Sequence, residues 1–332
     1  MYKKGAGDTV LYVLVYVDDI LILSPSTVCM ESFIMQVTAK YDIRSERTVE
    51  KFLGIQIKTF SDGSVKLHAS LEIQRIIREF DMIDCRPAST ALPNSVNIMK
   101  GAGNNKDDQI DSTRYQELMD SLLFVANTCR PDISFSVGLL SRFMSASFKT
   151  HWSSAMHLLR YLSGTTDYGI CFHASDENNF LSAFSDADFA GCRDSRKSTS
   201  GSVFIFSGGA ISWSSKKQPI VVQSTVEAEF VALSFAVREA IWLRQLCFDT
   251  DVSIGEAVTI GVDNQGCIAI SEQDRLSERS KHIDLKFHFV KDHVKEGTIV
   301  LEYIPTDLMA ADILTKPLTK HKHEANLRLI GL

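Results

Sequence analysis

Leu181-Ser182-Ala183-Phe184-Ser185-Asp186-Ala187-Asp188 decides the fold reading: an apolar strand that ends in two carboxylates before the chain turns toward Gly191. Residues two apart in an extended chain point to the same side, so either Asp186 or Asp188 can act as a ligand, and Asp186 is nearer the rigid strand. Working outward, strands are expected at 169–173, 181–185, 202–206 and 210–214, with Ser207-Gly208-Gly209 turning between the last two. A long helix is expected at 224–248, a strand at 257–262, a short helix after Asn264, and a helix at 282–296 ended by Gly297. A strand at 299–304 and a closing helix through Asp312 complete the pattern, which is that of an α/β domain on a mixed sheet.

Three more carboxylates belong with Asp186. At about 100° per residue, Val226, Phe230, Leu233, Val237, Ala240 and Ile241 form one helical stripe, and Glu229 falls within it, whereas Glu227 faces another side with Ser234, Arg238 and Gln245. A carboxylate on the sheet-facing side is costly unless paired or bound to metal, although an acid near a helix start also favours the helix dipole. Asp263 ends an apolar strand and precedes Asn264-Gln265-Gly266, a place that, taken alone, holds a helix N-cap or turn residue more often than a catalyst. Asp312 follows Ala310 and Ala311, whose small side chains allow close approach to the sheet. Oxygen donors from four separate elements suit magnesium, and two such ions about 4 Å apart can stabilise the attacking and leaving oxygens of a phosphodiester at once. The expected catalytic and metal-binding set is therefore Asp186, Glu229, Asp263 and Asp312, with Asp188 and Glu227 as alternates. Two magnesium ions are the expected cofactors, with manganese as a substitute and no small-molecule cofactor.

Composition sets outer bounds. With 332 residues, roughly two domains are expected. A content of 45% hydrophobic and 23% charged residues is that of a globular protein. Seven scattered cysteines, none in a C-x-x-C pair, argue against a disulfide framework or zinc site and for a reducing compartment. No apolar run reaches the roughly 20 residues needed to cross a bilayer, and the run at 10–17 lacks a cleavage site, so an intracellular protein, cytoplasmic or nuclear and not secreted, is expected. The net charge of −6 by itself argues against phosphate binding, but bound cations would reverse the field of clustered carboxylates. Basic residues gather at Arg193, Arg196 and Lys197, at Lys216 and Lys217, and at Arg275, Arg279 and Lys281. Upstream, strands are expected at 9–17, 20–23, 52–59 and 64–69, and helices at 26–41, 71–80, 115–127, 131–144 and 150–162. Gly101-Ala102-Gly103-Asn104-Asn105 marks a linker over 97–111.

Several motifs in order now resemble one family. Ser185-Asp186-Ala187-Asp188-Phe189-Ala190-Gly191, Ser198-Thr199-Ser200-Gly201, Ile211-Ser212-Trp213-Ser214-Ser215-Lys216-Lys217-Gln218, Glu227-Ala228-Glu229-Phe230, Val262-Asp263-Asn264, Lys281-His282-Ile283-Asp284 and Ala311-Asp312-Ile313-Leu314-Thr315-Lys316-Pro317 resemble the RNase H domain of copia-type retrotransposon polyproteins. Tyr16-Val17-Asp18-Asp19 looks like the metal-binding hairpin of a reverse transcriptase palm, and Arg130-Pro131-Asp132-Ile133 with Leu159-Arg160-Tyr161-Leu162 is similar to the family's connecting region.

The resemblance implies a partial palm and thumb at 1–96, the linker at 97–111, a helical connection at 112–168, an RNase H-like domain with a five-stranded mixed sheet at 169–320, and a tail at 321–332. It also implies hydrolysis of the RNA strand of RNA/DNA hybrids. Asp186 would bridge two ions, Glu229 and Asp263 would complete their shells, and Asp312 would hold metal near the attacking water. Arg196, Lys197, Lys216, Lys217 and Lys281 would meet nucleic acid, and His282 is a structural or phosphate-facing residue. The palm's third carboxylate lies well upstream of Asp18 and Asp19 in the family, so polymerase activity is expected only of a longer parent and the rest of the reverse transcriptase is an expected partner. Cellular RNases H carry a His in the loop before the last carboxylate, where this chain has Pro305-Thr306-Asp307-Leu308-Met309. A non-catalytic nucleic-acid-binding or decayed remnant is the alternative reading.

Overall fold

The computed structural model describes residues 1–46, 48–94, 98–99, 108–174, 180–272 and 284–332, which form two compact units, Met1–Lys58 and Thr59–Leu332. Most of the linker expected at 97–111 lies outside the described residues, as do Arg275, Arg279, Lys281 and His282.

In the first unit, β1 (Tyr2–Lys4), β2 (Leu11–Tyr16) and β3 (Asp19–Leu23) form an antiparallel sheet in that order. Alternation along β2 buries Leu11 and Val13. Tyr16 pairs with Asp19 across the turn at Val17 and Asp18, and Val17 adopts φ 51°, a costly conformation for a β-branched residue. The helix α1 (Thr27–Thr38) starts at Ser26, whose hydroxyl accepts the Cys29 N–H at 3.3 Å. A short hairpin of β4 (Lys51–Phe52) and β5 (Ile55–Thr59) follows.

The second unit begins with β6 (Val65–His68) and α2 (Ser70–Glu79), then α3 (Ser112–Thr128), α4 (Ser134–Leu140), α5 (Lys149–Ser163) and β7 (Gly169–Phe172). β6 pairs antiparallel with β7, which ties residues 65–68 to this unit across a hundred positions of sequence. Next come β8 (Ser182–Asp188), β9 (Thr199–Phe206), β10 (Gly209–Lys217), α6 (Thr225–Asp249), β11 (Val258–Val262), α7 (Gln265–Glu272), α8 (Asp284–Lys295), β12 (Ile299–Tyr303) and α9 (Lys320–Leu329). The main sheet has the order β10-β9-β8-β11-β12; β8, β9 and β10 are antiparallel neighbours, while β11 and β12 run parallel to β8. One core, with Phe204, Phe230, Leu233, Val237, Ile260, Phe287 and Val290, joins α6 and α8 to the sheet. A second core joins Val203 and Ala210 to Leu314, Leu327 and Ile330. No helix among the described residues is long and apolar enough to cross a membrane.

Two expectations about the C-terminus need correction. The helix expected through Asp312 is a 3-10 turn, Ala310–Leu314, and Pro317, which disfavours helical backbone at the residue before it, keeps the chain from continuing as an α-helix. Residues 321–332 are not a loose tail. They belong largely to α9, whose Leu327 enters the second core together with Ile330 just past its end; the Lys-His-Lys-His run at its start masks this pattern.

A buried polar network fastens α9 to the helical segment. Arg130 is fully buried and donates to both oxygens of Asp132 (2.9 and 2.7 Å) and to Thr165 O and Oγ1 (2.7 and 2.9 Å). Tyr161 OH donates to Asp132 Oδ2 at 2.7 Å and in turn accepts from His323 Nε2 at 2.9 Å. Because the Tyr161 hydroxyl proton is committed to Asp132, that arrangement requires a proton on His323 Nε2. Burial lowers the affinity of His323 for a second proton, outweighing the nearby Asp132 carboxylate. Because the folded pKa is depressed below 6.5, this contribution to stability is complete above that pH and declines as pH falls below it, where the unfolded chain gains a proton first. Urea midpoints on either side of pH 6.5 should show a slope of at most about 1.4 kcal/mol per pH unit from this residue. His323→Gln should flatten that slope, and an unchanged profile would exclude His323 as its source.

Candidate metal centre

The β8–β11 pairing ends at Ser185 opposite Val262, so the next residues, Asp186 and Asp263, stand side by side at the carboxyl ends of adjacent parallel strands. Open α/β sheets collect ligands at that edge. Beyond Ser185, β8 continues only against β9, with Asp186 opposite Gly201, and the Ala187 N–H turns to the Glu229 carboxylate at the start of α6. Gln218 holds that helix in place, donating from Nε2 to Ser200 Oγ and to Ala228 O, each at 2.9 Å.

One oxygen from each of Asp186, Glu229 and Asp263 lies within 4.8 Å of the others. Asp186 is 2% exposed and Glu229 7%, and Glu229 Oε2 is buried with no hydrogen-bond partner among the described residues. A buried carboxylate oxygen left without a donor is expensive, and a hard cation with oxygen ligands removes that cost, so the three residues fit magnesium or manganese. Burial, reinforced by the charges of Asp186 and Asp263, pushes the Glu229 carboxyl up to about 9. Burial likewise raises Asp186 to about 7 against the pull of Lys316. A divalent cation reverses both trends by favouring the ionised forms.

Asp263 is released from the capping role that its sequence position also suits. Asn264 takes that role, its Oδ1 accepting the Cys267 N–H at 3.0 Å, while Thr306 Oγ1 donates to Asp263 Oδ2 at 2.8 Å. Asp312 is fully buried in its 3-10 turn, which lies directly on β9 at Gly201. A Cβ at Gly201 would come within 2.6 Å of Thr315 Cγ2 and 3.0 Å of Ala311 O, so only glycine admits the turn this closely.

Asp312 does not join the three-oxygen cluster. Its Oδ1 lies 2.5 Å from Lys316 Nζ, and its Oδ2 is paired with Lys322 Nζ from α9. Lys316 Nζ also lies 3.5 Å from Asp186 Oδ2, and Thr315 Oγ1 donates to the same oxygen. Asp312 therefore meets the cluster at Asp186, with which it shares the Lys316 ammonium and whose carboxyl its own charge helps to push up. Burial works against the Lys316 charge, but Asp186 and Asp312 outweigh it and raise its pKa. Thr315 and Lys316 were visible in the sequence as part of a motif, yet nothing local gave them a role. Lys322 carries no sequence signal at all.

The alternates diverge. Asp188 turns to Gly191, where an added Cβ would collide with its Oδ2, and it lines a cavity of about 250 Å³ with Arg142, Cys192, Arg193 and Lys217. Glu227 bends back to accept the Gln223 N–H at 2.8 Å and so serves the start of α6. Arg196 is exposed, and Lys197 Nζ donates to Pro219 O at 2.5 Å. Lys216 and Lys217 are exposed at the end of β10, opposite Ser200 and Thr199, which in turn face Ala187 and Asp188. Two strand spacings, about 10 Å, thus separate these lysines from the acid-bearing strand. Asp18 and Asp19, in the first unit, are exposed at the β2–β3 turn.

The strand order and the acidic carboxyl edge define an RNase H-like domain, in a chain whose fold is also related to reverse transcriptases. A family model described as reverse transcriptase (RNA-dependent DNA polymerase) matches residues 1–94. A retrovirus-related Pol polyprotein from transposon TNT 1-94 of Nicotiana tabacum is 33% identical over 336 residues, covering 100% of this chain and 25% of that protein. A putative transposon Ty5-1 protein of Saccharomyces cerevisiae is 32% identical over 72% of this chain and 77% of its own length. The chain belongs to the copia-type retrotransposon Pol family. It spans about a quarter of the length of the tobacco polyprotein. Among solved structures, a foamy viral protease-reverse transcriptase in complex with dsDNA shares the fold at TM-score 0.50 and 16% identity, over 89% of this chain and 55% of that one.

Proposed function

We propose that the second unit is a divalent-metal-dependent nuclease that hydrolyses the RNA strand of RNA/DNA hybrids within a retrotransposon polyprotein. The observation that carries this reading is the convergence of Asp186, Glu229 and Asp263 from three elements within 4.8 Å, with an orphaned Glu229 oxygen among them. Divalent metal, when bound, supplies the Lewis acidity that activates water and stabilises the leaving oxygen. The chain's own part is positional. β8 and β11 fix Asp186 and Asp263, α6 brings Glu229 down on the sheet, Thr306 orients Asp263, and Thr315 orients Asp186. Lys216, Lys217, Arg196 and Lys197 supply cationic partners for phosphates near that edge, and 2′-hydroxyl contacts select the RNA strand. In the first unit, Asp18 and Asp19 are proposed as two metal ligands of a polymerase site, completed by the remaining part of the reverse transcriptase.

Purified chain incubated with end-labelled hybrid and magnesium or manganese should cut the RNA strand, leave duplex DNA intact, and stop on chelation. Hybrid bound but uncut with either metal would sink the nuclease reading and favour a non-catalytic binder.

A further inference from the structure

Resting on that reading of the centre, we propose that Lys316 is the resident cation of its Asp312 half. In the chain without substrate, Asp186, Glu229 and Asp263 take up one divalent ion, and a second ion reaches Asp312 only by displacing the Lys316 ammonium. Both oxygens of Asp312 are engaged, Oδ1 by Lys316 Nζ at 2.5 Å and Oδ2 by Lys322 Nζ. Asp312 is fully buried, and Lys316 Nζ sits between it and Asp186, 3.5 Å from Asp186 Oδ2. An ammonium so placed stands where an ion bridging those two carboxylates would have to go.

Charge balance points the same way. Asp186, Glu229, Asp263, Asp312 and the neighbouring Asp188 carry five negative charges when ionised, and Lys316 and Lys322 carry two positive ones, which leaves three negative charges; one divalent ion reduces these to one, and a second added without loss of an ammonium would make the centre positive. The lysines are not loosely placed. Lys322 lies on α9, which is anchored by the His323–Tyr161 hydrogen bond and by Leu327 and Ile330 in the core. Lys316 follows Thr315, whose hydroxyl is fixed on Asp186. A second ion must therefore compete with an ion pair already made to a buried carboxylate, and part of its binding energy goes to displacing the ammonium.

The test counts ions rather than turnover. Metal-depleted full-length chain is titrated with manganese, and free manganese is read by electron paramagnetic resonance for the wild type, Lys316→Met and Lys316→Arg. Wild type and Lys316→Arg should bind one ion per chain over a range in which Lys316→Met binds two, the second at least on the order of tenfold more tightly than in wild type. Two ions of similar affinity in wild type, or one in all three proteins, overturns the role of Lys316 and leaves the metal centre standing. No ion in wild type removes the metal centre and this inference together. Should Lys316→Met fail to fold by thermal unfolding, Lys316→Gln, which keeps a polar donor but no charge, takes its place in the titration with the same two outcomes.

Discussion

Glu229→Gln is expected to lower cleavage of RNA/DNA hybrid by more than about a hundredfold, while raising the melting temperature of the chain in the absence of divalent metal. Loss of a partner that merely orients a metal ligand costs about 10–100-fold, so loss of a ligand should exceed that range. The stability gain follows from the same geometry. Glu229 is buried beside Asp186 and Asp263, and burial and those two charges disfavour its ionised form. Glutamine keeps the shape, can still accept from the Ala187 N–H, and presents an amide donor to the neighbouring carboxylates where the native side chain presents a like charge. Stability given up for function is common at such sites. The decisive readout is the melting temperature with and without magnesium. Ligand binding to the folded state raises wild-type stability by RT ln(1 + [L]/Kd), and the variant should lose most of that increment. A variant that melts lower without metal and keeps the full magnesium-dependent rise would show that Glu229 is not a ligand.

How much of this was legible in the sequence depends on how local the cause is. Asp186 and Asp263 could be found because each ends an apolar strand, and Glu229 because helical periodicity separates it from Glu227 two residues away. The alternation of strands and helices pointed to an α/β domain on a mixed sheet and the family resemblance to five strands, and the structure shows that arrangement, whose strand order no local pattern had specified. What stayed hidden were partnerships made across long stretches of chain. That Asp312 is paired to Lys316 and Lys322 depends on a 3-10 turn laid against Gly201 and on the placement of α9, neither of which has a periodic signature. Asn264 taking the cap was equally invisible, since Asp263 and Asn264 are both good capping residues and only the fold determines which side chain turns back.

Arg130 is the clearest case of such a hidden partnership, and Arg130→Met is expected to destabilise the chain by about 3–5 kcal/mol. The guanidinium is fully buried with its fork on Asp132, two further bonds to Thr165, and the rings of Tyr161 and Tyr168 each 5.5 Å from its centre. Burial opposes ionisation of Asp132, but the Arg130 charge and the hydrogen bonds from Arg130 and Tyr161 hold its carboxyl below the usual range. Removing Arg130 leaves that carboxylate buried and half satisfied, the situation in which breaking a buried pair costs most. Replacing both partners with apolar residues should cost much less, because no charge is then stranded. Urea unfolding of Arg130→Met, Asp132→Leu and the double variant would separate the two effects: the double variant should be more stable than either single one. A double variant as unstable as the sum of the singles would mean the pair acts through packing alone. The network also bears on the candidate metal centre, since it continues through Tyr161 to His323 on α9, one residue from Lys322. Damage at Arg130 should therefore loosen the Lys322–Asp312 pair as well, which the manganese titration used for Lys316 would register as a second ion bound more readily.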